Sequence, residues 1–359
     1  MLKQLVKTGA FGALRLTGGF LMVRDSKWRS SRLLILCYHG ISLDDEHEWR
    51  PEFYMSQNQF ERRLAILKRN ECSVLPLDPA LQQLKEGTLP PRSVALTFDD
   101  GMYDFYTRAF PVLDKYRYPA TVYLTTYYCD YNRPVFPLIV SYMLWKARNS
   151  SIGPDPELGL QESVSLSTGP QRDQAAKAIE ALAEAQHLSG EQKDALAQKL
   201  ASRLGIDYAA IVRSRLLHVM TPAEVTDLSR RGVDIQLHTH RHRTPRHEGQ
   251  FAREIVDNRR RIEEIAGSQA THFCYPSGVY EYEFLPWLEQ QKVVSATTCN
   301  PGIATSESNL LLLPRFVDTT AQSELVFEAW VTGAAPLLFP SRTAHQPTAT
   351  ISTTAPSSL

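Results

Sequence analysis

Hydrophobic positions along this chain follow two periods in turn. Compact apolar runs at 32–38, 74–77, 94–98, 120–125, 234–237, 271–275, 293–298 and 310–317 read as strands. Apolar residues recurring every three to four positions predict helices over 57–70, 103–116, 251–266 and 284–291. Ser56 with Gln59, and Thr221 with Pro222 and Glu224, have the form of helix N-caps, and Gly232 ends the second of these helices. Strands alternating with helices predict parallel βα units, hence an α/β protein.

The alternation lapses over 132–220. Residues 149–170 are rich in Gly, Pro and Ser and read as a loop, while 172–186 and 189–204 are Ala-rich helical patterns. We read 132–220 as a helical insertion within a main domain of 32–335, placed on the loop after a strand, where it would cover the catalytic rim. From 340 to 359 the Ser, Thr, Pro and Ala content predicts a disordered tail.

The first 31 residues form a basic amphipathic segment. Lys3, Lys7, Arg15, Arg24, Lys27 and Arg29 face a single acid, Asp25, and are interleaved with Leu2, Leu5, Val6, Phe11, Leu14, Leu16, Phe20, Leu21, Met22 and Val23. Arg15 interrupts what would be the apolar region of a secretory signal, and no small-residue cleavage site follows. Two readings stay open: peripheral contact with an anionic membrane, or docking on the main domain as an ordinary helix. No run reaches the roughly 20 apolar residues that span a bilayer.

Composition narrows the field. With 359 residues, 43% of them hydrophobic, the chain can bury a large core. Its 39 basic and 39 acidic residues balance, so no global field draws it to nucleic acid. Five cysteines, an odd number without paired spacing, fit reduced thiols in a reducing compartment. The expected location is cytoplasmic, with the inner membrane face as the surface for any peripheral contact.

Candidate chemistry lies where strands end. Thr97, Phe98, Asp99, Asp100 and Gly101 set two adjacent carboxylates at such a point, and both stay ionised only where a cation or hydrogen-bond donors stand nearby. Downstream, 234–237 runs into His238, Thr239, His240, Arg241 and His242. Imidazole with carboxylate suits Zn or a similar divalent metal. Taken singly, Asp-Asp-Gly is most often a turn and a His-rich run a solvated loop. Yet His39, Asp99, Asp100, His238, His242, Tyr275 with Pro276, and Arg315 all fall at or near expected strand ends, the address of active residues in parallel α/β barrels.

These two motifs, Thr-Phe-Asp-Asp-Gly at 97–101 and His-Thr-x-x-His at 238–242, resemble those of the polysaccharide deacetylases, the NodB-homology group of carbohydrate esterase family four. The resemblance covers about residues 33–317. It implies a deformed parallel (β/α) barrel and a hydrolase that removes acetyl groups from sugars using one divalent metal, expected to be Zn. Asp100, His238 and His242 would then hold the metal and Asp99 would be the general base.

The chain departs from the family in two places. The late Leu-x-His motif, which supplies a catalytic acid, reads Leu313, Pro314, Arg315 here, and an arginine cannot release its proton. The motif at 273–278 has Cys274 where the family has Arg. Arg315 could take over that arginine's role of orienting the base or binding substrate. His39 is the best candidate for the acid, with Asp99 returning its own proton as the other route and a purely structural His39 still open. Tyr275, Pro276 and His240 are candidate substrate contacts, although His240 could equally point away from the metal. The expected partner is an N-acetylated carbohydrate or glycolipid and the expected reaction N-deacetylation in polysaccharide or glycolipid assembly. The alternatives are a deformylase or other amide hydrolase on a lipid-linked amino sugar, and a carbohydrate-binding protein without turnover.

Overall fold

A computed structural model describes residues 2–339, with side chains from residue 9 onward. The expected tail at 340–359 lies outside the described residues. Eight strands form one parallel sheet: β1 (Leu34–Tyr38), β2 (Ser73–Val74), β3 (Ser93–Phe98), β4 (Thr121–Leu124), β5 (Asp234–Leu237), β6 (His272–Cys274), β7 (Ser295–Thr297) and β8 (Phe316–Val317). The order is β7-β6-β5-β4-β3-β1-β8, with β2 beside the start of β3. Leu313 bridges in parallel to Thr297 of β7, while Phe316 and Val317 pair with Leu36 and Cys37 of β1. The sheet edges are thereby drawn together into the deformed barrel expected from the sequence.

The strands are buried on both faces, as parallel strands covered by helices must be. On β1 and β3, Leu34, Leu36, Tyr38, Val94, Leu96 and Phe98 face outward into the large core beneath the helices. Ile35 and Ala95 alternate with them and join Tyr123, Cys274 and Leu313 in a smaller interior cluster. Period two therefore carries Cys37, Thr97 and Asp99 to the interior side as well.

Three helices precede the barrel: α1 (Leu2–Leu16), α2 (Gly19–Arg24) and α3 (Lys27–Ser30). Around it run α4 (Gln57–Arg69), α5 (Leu77–Glu86) and α6 (Phe110–Tyr116). Between β4 and β5 the chain builds α7 (Phe136–Lys146), α8 (Gly169–Ala185), α9 (Gly190–Leu204), α10 (Tyr208–Ser214) and α11 (Pro222–Arg230). Then come α12 (Glu248–Ala266), α13 (Phe284–Gln290), α14 (Glu324–Thr332) and α15 (Ala334–Leu338). Thr221 forms a capping box with Glu224, as its spacing implies. Ser56 accepts from the Gln59 N–H, but the Gln59 side chain turns away to Thr320.

Four local readings need correction. Residues 310–317 are not one strand: Leu310–Leu312 is a 3-10 turn, and Pro314, which has no N–H to give a ladder, separates the Leu313 bridge from β8. The supposed loop 149–170 contains a small antiparallel pair, Ser151–Ile152 with Val164–Ser165. Helix α5 has no counterpart in the sequence reading, although Leu77, Ala80, Leu81 and Leu84 recur at helical spacing and join the barrel's interior cluster. The N-terminal basic residues are not all free. Arg29 is fully buried, Arg15 pairs with Glu328 and Arg24 with Asp25.

Phe11 and Phe20 are buried against Ala329, Ala334 and Ala335, so α1 and α2 pack on α14 and α15. Arg29 fastens this corner. Its guanidinium donates to the carbonyls of Val331 at 3.2 Å, Arg32 at 2.8 Å and Ser93 at 3.0 Å. Arg29→Met should cost about 2–4 kcal/mol, because several buried carbonyls lose a charged donor at once. A urea melt with an unchanged midpoint would contradict that role.

Candidate active site

The turn after β3 builds the centre of the site. Asp100 and Gly101 both have left-handed backbone, φ 74° and 76°. At Gly101 a Cβ would lie 2.2 Å from Leu124 Cδ1, so only glycine fits. This tight reversal sends Asp99 into the barrel and Asp100 toward the loop after β5. That loop is strained too, with Thr239 at φ 60° and His242 at φ 54°. Non-glycine residues in this region cost free energy and collect at functional sites.

Asp100, His238 and His242 converge as a buried cluster. The Nε2 atoms of His238 and His242 lie 3.2 and 3.4 Å from the same Asp100 oxygen, Oδ1. His238 Nδ1 is 2.9 Å from the Cys274 carbonyl, which can only accept. Nδ1 therefore carries a proton, and in the neutral ring Nε2 holds the lone pair, the arrangement of a metal-binding histidine with an outer partner. Burial pushes the Asp100 carboxyl up, but His238 by hydrogen bond and both histidines by charge outweigh it and lower it. Burial drives His242 down to about 4. It also opposes protonation of His238, yet Cys274 and the Asp100 and Asp99 carboxylates outweigh burial and raise it. The group thus favours positive charge at its centre, and one carboxylate oxygen with two imidazole nitrogens suits a divalent cation.

Asp99 has a different partner. Arg315 grips it with two parallel bonds, Nη1 to Oδ1 at 2.7 Å and Nη2 to Oδ2 at 2.8 Å. The guanidinium is fully buried and fixed in turn by the Thr298 carbonyl and Thr97 Oγ1. Burial would raise the Asp99 carboxyl, but the charge and hydrogen bonds of Arg315 prevail and hold it well below the usual carboxylate range. Cys274 Sγ is 3.1 Å from Arg315 Nη2 and 3.4 Å from Asp99 Oδ2. Position 274, where the family pattern has an arginine, carries a small thiol here, and Arg315 holds the Asp99 carboxylate from beside β8. His39, on the first residue after β1, places Nε2 3.8 Å from Asp99 Oδ2 and retains some exposure.

The remaining sequence candidates stand apart from this centre. His240 Nδ1 faces Thr126 Oγ1 at 2.9 Å, directed away from the metal ligands. The Tyr275 ring is buried and its hydroxyl donates to the Leu311 carbonyl, so the side chain props the loop. Pro276 is buried as well. Two functional supports were not anticipated, both from α12. Asn258 accepts from the His238 N–H and donates to the Leu124 carbonyl and Thr126 Oγ1, all at 2.9 Å. Glu254 accepts from the Arg241 N–H at 2.8 Å and pairs with its guanidinium. Their signal in the sequence is two polar residues four apart on a helix face otherwise occupied by Phe251, Ile255 and Ile262.

The sequence profile of the polysaccharide deacetylase family matches residues 86–156 and 166–294. A poly-β-1,6-N-acetyl-D-glucosamine N-deacetylase of Staphylococcus aureus is 39% identical over 74 residues, 21% of this chain and 26% of its own length. Its Staphylococcus epidermidis namesake is 31% identical over 110 residues, 28% of this chain and 38% of its own. The chain thus matches well under half the length of these relatives. Among solved structures, the Streptococcus pyogenes deacetylase PplD, in complex with acetate, superposes with a TM-score of 0.54 at 18% identity, covering 81% of this chain and 94% of the other. IcaB from Ammonifex degensii gives 0.52 at 16%, covering 84% and 97%. Those two likenesses are of fold. The profile match extends over more than half of the chain and takes in both the Asp pair and the His loop, and on that ground the chain belongs to the polysaccharide deacetylase family.

Proposed function

We propose that this protein is a metal-dependent N-deacetylase acting on an N-acetylated sugar during polysaccharide assembly. The observation that carries the reading is the division of labour between consecutive carboxylates: Asp99 locked to Arg315, Asp100 joined to His238 and His242. A divalent cation held by Asp100, His238 and His242, zinc by our reading of the donor set, would supply Lewis acidity toward the acetyl carbonyl and toward water. Asp99 takes the proton of the attacking water. Arg315 keeps that carboxylate ionised and aimed, without itself exchanging a proton. His39, near Asp99 and open to the cleft, gives a proton to the departing amine. Asp99 belongs to a base rather than a binding platform, which favours turnover over passive sugar binding.

The N-terminal helices bear on which acetylated sugar is reached. Leu16, at the end of α1, is 90% exposed, and Met22 and Leu21 of α2 are 76% and 53% exposed. We infer that this corner rests on the cytoplasmic face of a membrane. With Arg29 buried and Arg15 and Arg24 paired, its attachment is more apolar than the count of basic residues implies. Arg29 ties the corner to Ser93, where β3 begins, whereas the catalytic residues stand where the strands end. Strands of this length span about 20 Å, so the rim is held off the bilayer. That geometry favours a growing polymer over the first sugar of a glycolipid.

The central test is acetate release from β-1,6-linked N-acetylglucosamine oligomers by metal-loaded protein; formate release from an N-formyl sugar instead would point to the other amide hydrolase. Asp99→Asn should retain metal while kcat falls by on the order of 10²–10⁴, the usual worth of general base catalysis. His238→Ala or His242→Ala should lose metal and activity together, and full metal by elemental analysis in both would overturn the ligand assignment.

His39→Ala should slow amides far more than esters, because an alkoxide departs without full protonation more readily than an amine. Equal losses on an N-acetyl sugar and an O-acetyl ester would make His39 structural.

For the membrane corner, replacing Leu16, Leu21 and Met22 together by Ser should abolish sedimentation with anionic vesicles while leaving acetate release from soluble oligomers unchanged. Undiminished vesicle binding by the triple variant would rule the corner out.

A further inference from the structure

Beyond His238 and His242, the segment after β4 forms one wall, through Tyr127, Tyr128 and Tyr131, of a cavity of about 120 Å³, room for on the order of ten water-sized groups. Tyr127 anchors that wall. Its N–H donates to the carbonyl of His240 at 2.8 Å, and its ring meets the His240 ring edge-on at 5.7 Å. The Tyr131 ring follows at 5.3 Å from that of Tyr127, tilted by 40°, and is exposed. Arg243, the residue after ligand His242, also lines the space. Helix α9 supplies the far wall through Lys193 and Asp194. Asp194 accepts from Tyr208 at 2.6 Å and from Arg133 at 3.2 Å, which fixes its carboxylate at the cavity edge.

Rings with exposed faces beside a fixed carboxylate and cationic donors match the chemistry of a pyranose, whose C–H faces pack on aromatic rings while its hydroxyls and amide need donors and acceptors. A hydrocarbon chain would leave Lys193 and Arg243 at the cavity without use. The chain has also made space for the outermost ring: Gly190, first residue of α9, lies under Tyr131, and a Cβ there would stand 2.4 Å from Tyr131 Cε1.

We propose that this cavity, between the metal-ligand loop and helices α7–α10, is a subsite for a second N-acetylated sugar unit of the same polymer. The inference rests on the deacetylase reading and gives the helical segment a role in selecting polymer over short sugars. Metal-loaded protein should then show a kcat/KM on a β-1,6-linked N-acetylglucosamine hexasaccharide well above that on the disaccharide. Tyr131→Ala should lower the hexasaccharide value about tenfold through KM, with the disaccharide unchanged. Gly190→Ala, at a helical position that tolerates alanine and far from the chemistry, should do the same by displacing the ring. Calorimetric binding of the hexasaccharide to the Asp99→Asn protein reads the subsite without turnover. Binding that Tyr131→Ala weakens, with no acetate released by wild type, would keep the subsite and reject the deacetylase. Acetate released from both oligomers with equal kcat/KM, or equal losses on both in the variants, would reject the subsite and keep the deacetylase. Absence of both binding and release would reject the two together.

Discussion

Consecutive carboxylates in a buried turn repel one another, and each needs its own source of positive charge to remain ionised. Asp99 and Asp100 obtain theirs from opposite directions because the left-handed turn at 100–101 points them apart. Arg315 answers Asp99 from beside β8, and His238 with His242 answers Asp100 from the end of β5. The barrel is what allows this. Pairing of β8 with β1, itself beside β3, brings the residue before β8 within reach of the end of β3, and the parallel bridge of Leu313 to β7 brings Cys274's side of the sheet to the same place. Buried ion pairs add little net stability, since desolvation offsets their attraction, but loss of one partner strands the other's charge. The Asp99–Arg315 pair is therefore better understood as keeping the Asp99 carboxylate ionised and oriented than as holding the fold together.

Around this centre the site is kept rigid by groups that touch no substrate. Asn258 and Glu254 clamp the strained 238–242 loop from α12, and the Cys274 carbonyl fixes the His238 tautomer. The thiols near Asp99 suit the same purpose. Burial pushes Cys37 well up, and burial likewise lifts Cys299 to about 11 despite the opposing charge of Arg315, so these two remain neutral and do not compete with Asp99 for the guanidinium. Small side chains at 37 and 274 leave the volume that Arg315 fills.

Much of this was legible in the sequence because it is local. The βα alternation, the Thr221 cap and the addresses of Asp99, Asp100, His238 and His242 at strand ends all follow from short-range pattern. What escaped depends on distant contacts. Pro314 visibly forbids a regular strand, but only the two partners, β7 on one side and β1 on the other, show why the chain breaks there and turns Arg315 inward. Helix α5 is short, and its apolar positions acquire meaning only as the plug of the barrel interior. The N-terminal cations looked alike as a count; a tertiary contact with Val331 and Ser93 takes Arg29 out of solvent.

The departures from the family pattern form one linked change rather than two independent losses. Cys274 Sγ approaches Arg315 Nη2 at 3.1 Å, so a side chain as large as arginine at 274 would compete with Arg315 for that space. Once the guanidinium comes from 315, that position can no longer supply an acid, because the group placed there never gives up its proton. The proton for the leaving amine then comes either from Asp99 returning its own or from another group on the rim. His39 lies two residues beyond Cys37, the β1 residue whose thiol contacts Asp99, and its Nε2 stands 3.8 Å from Asp99 Oδ2. With arginine at 315, the Asp99 carboxylate is held from beside β8, and the acid proposed for this chain stands at the end of the first strand instead of the last.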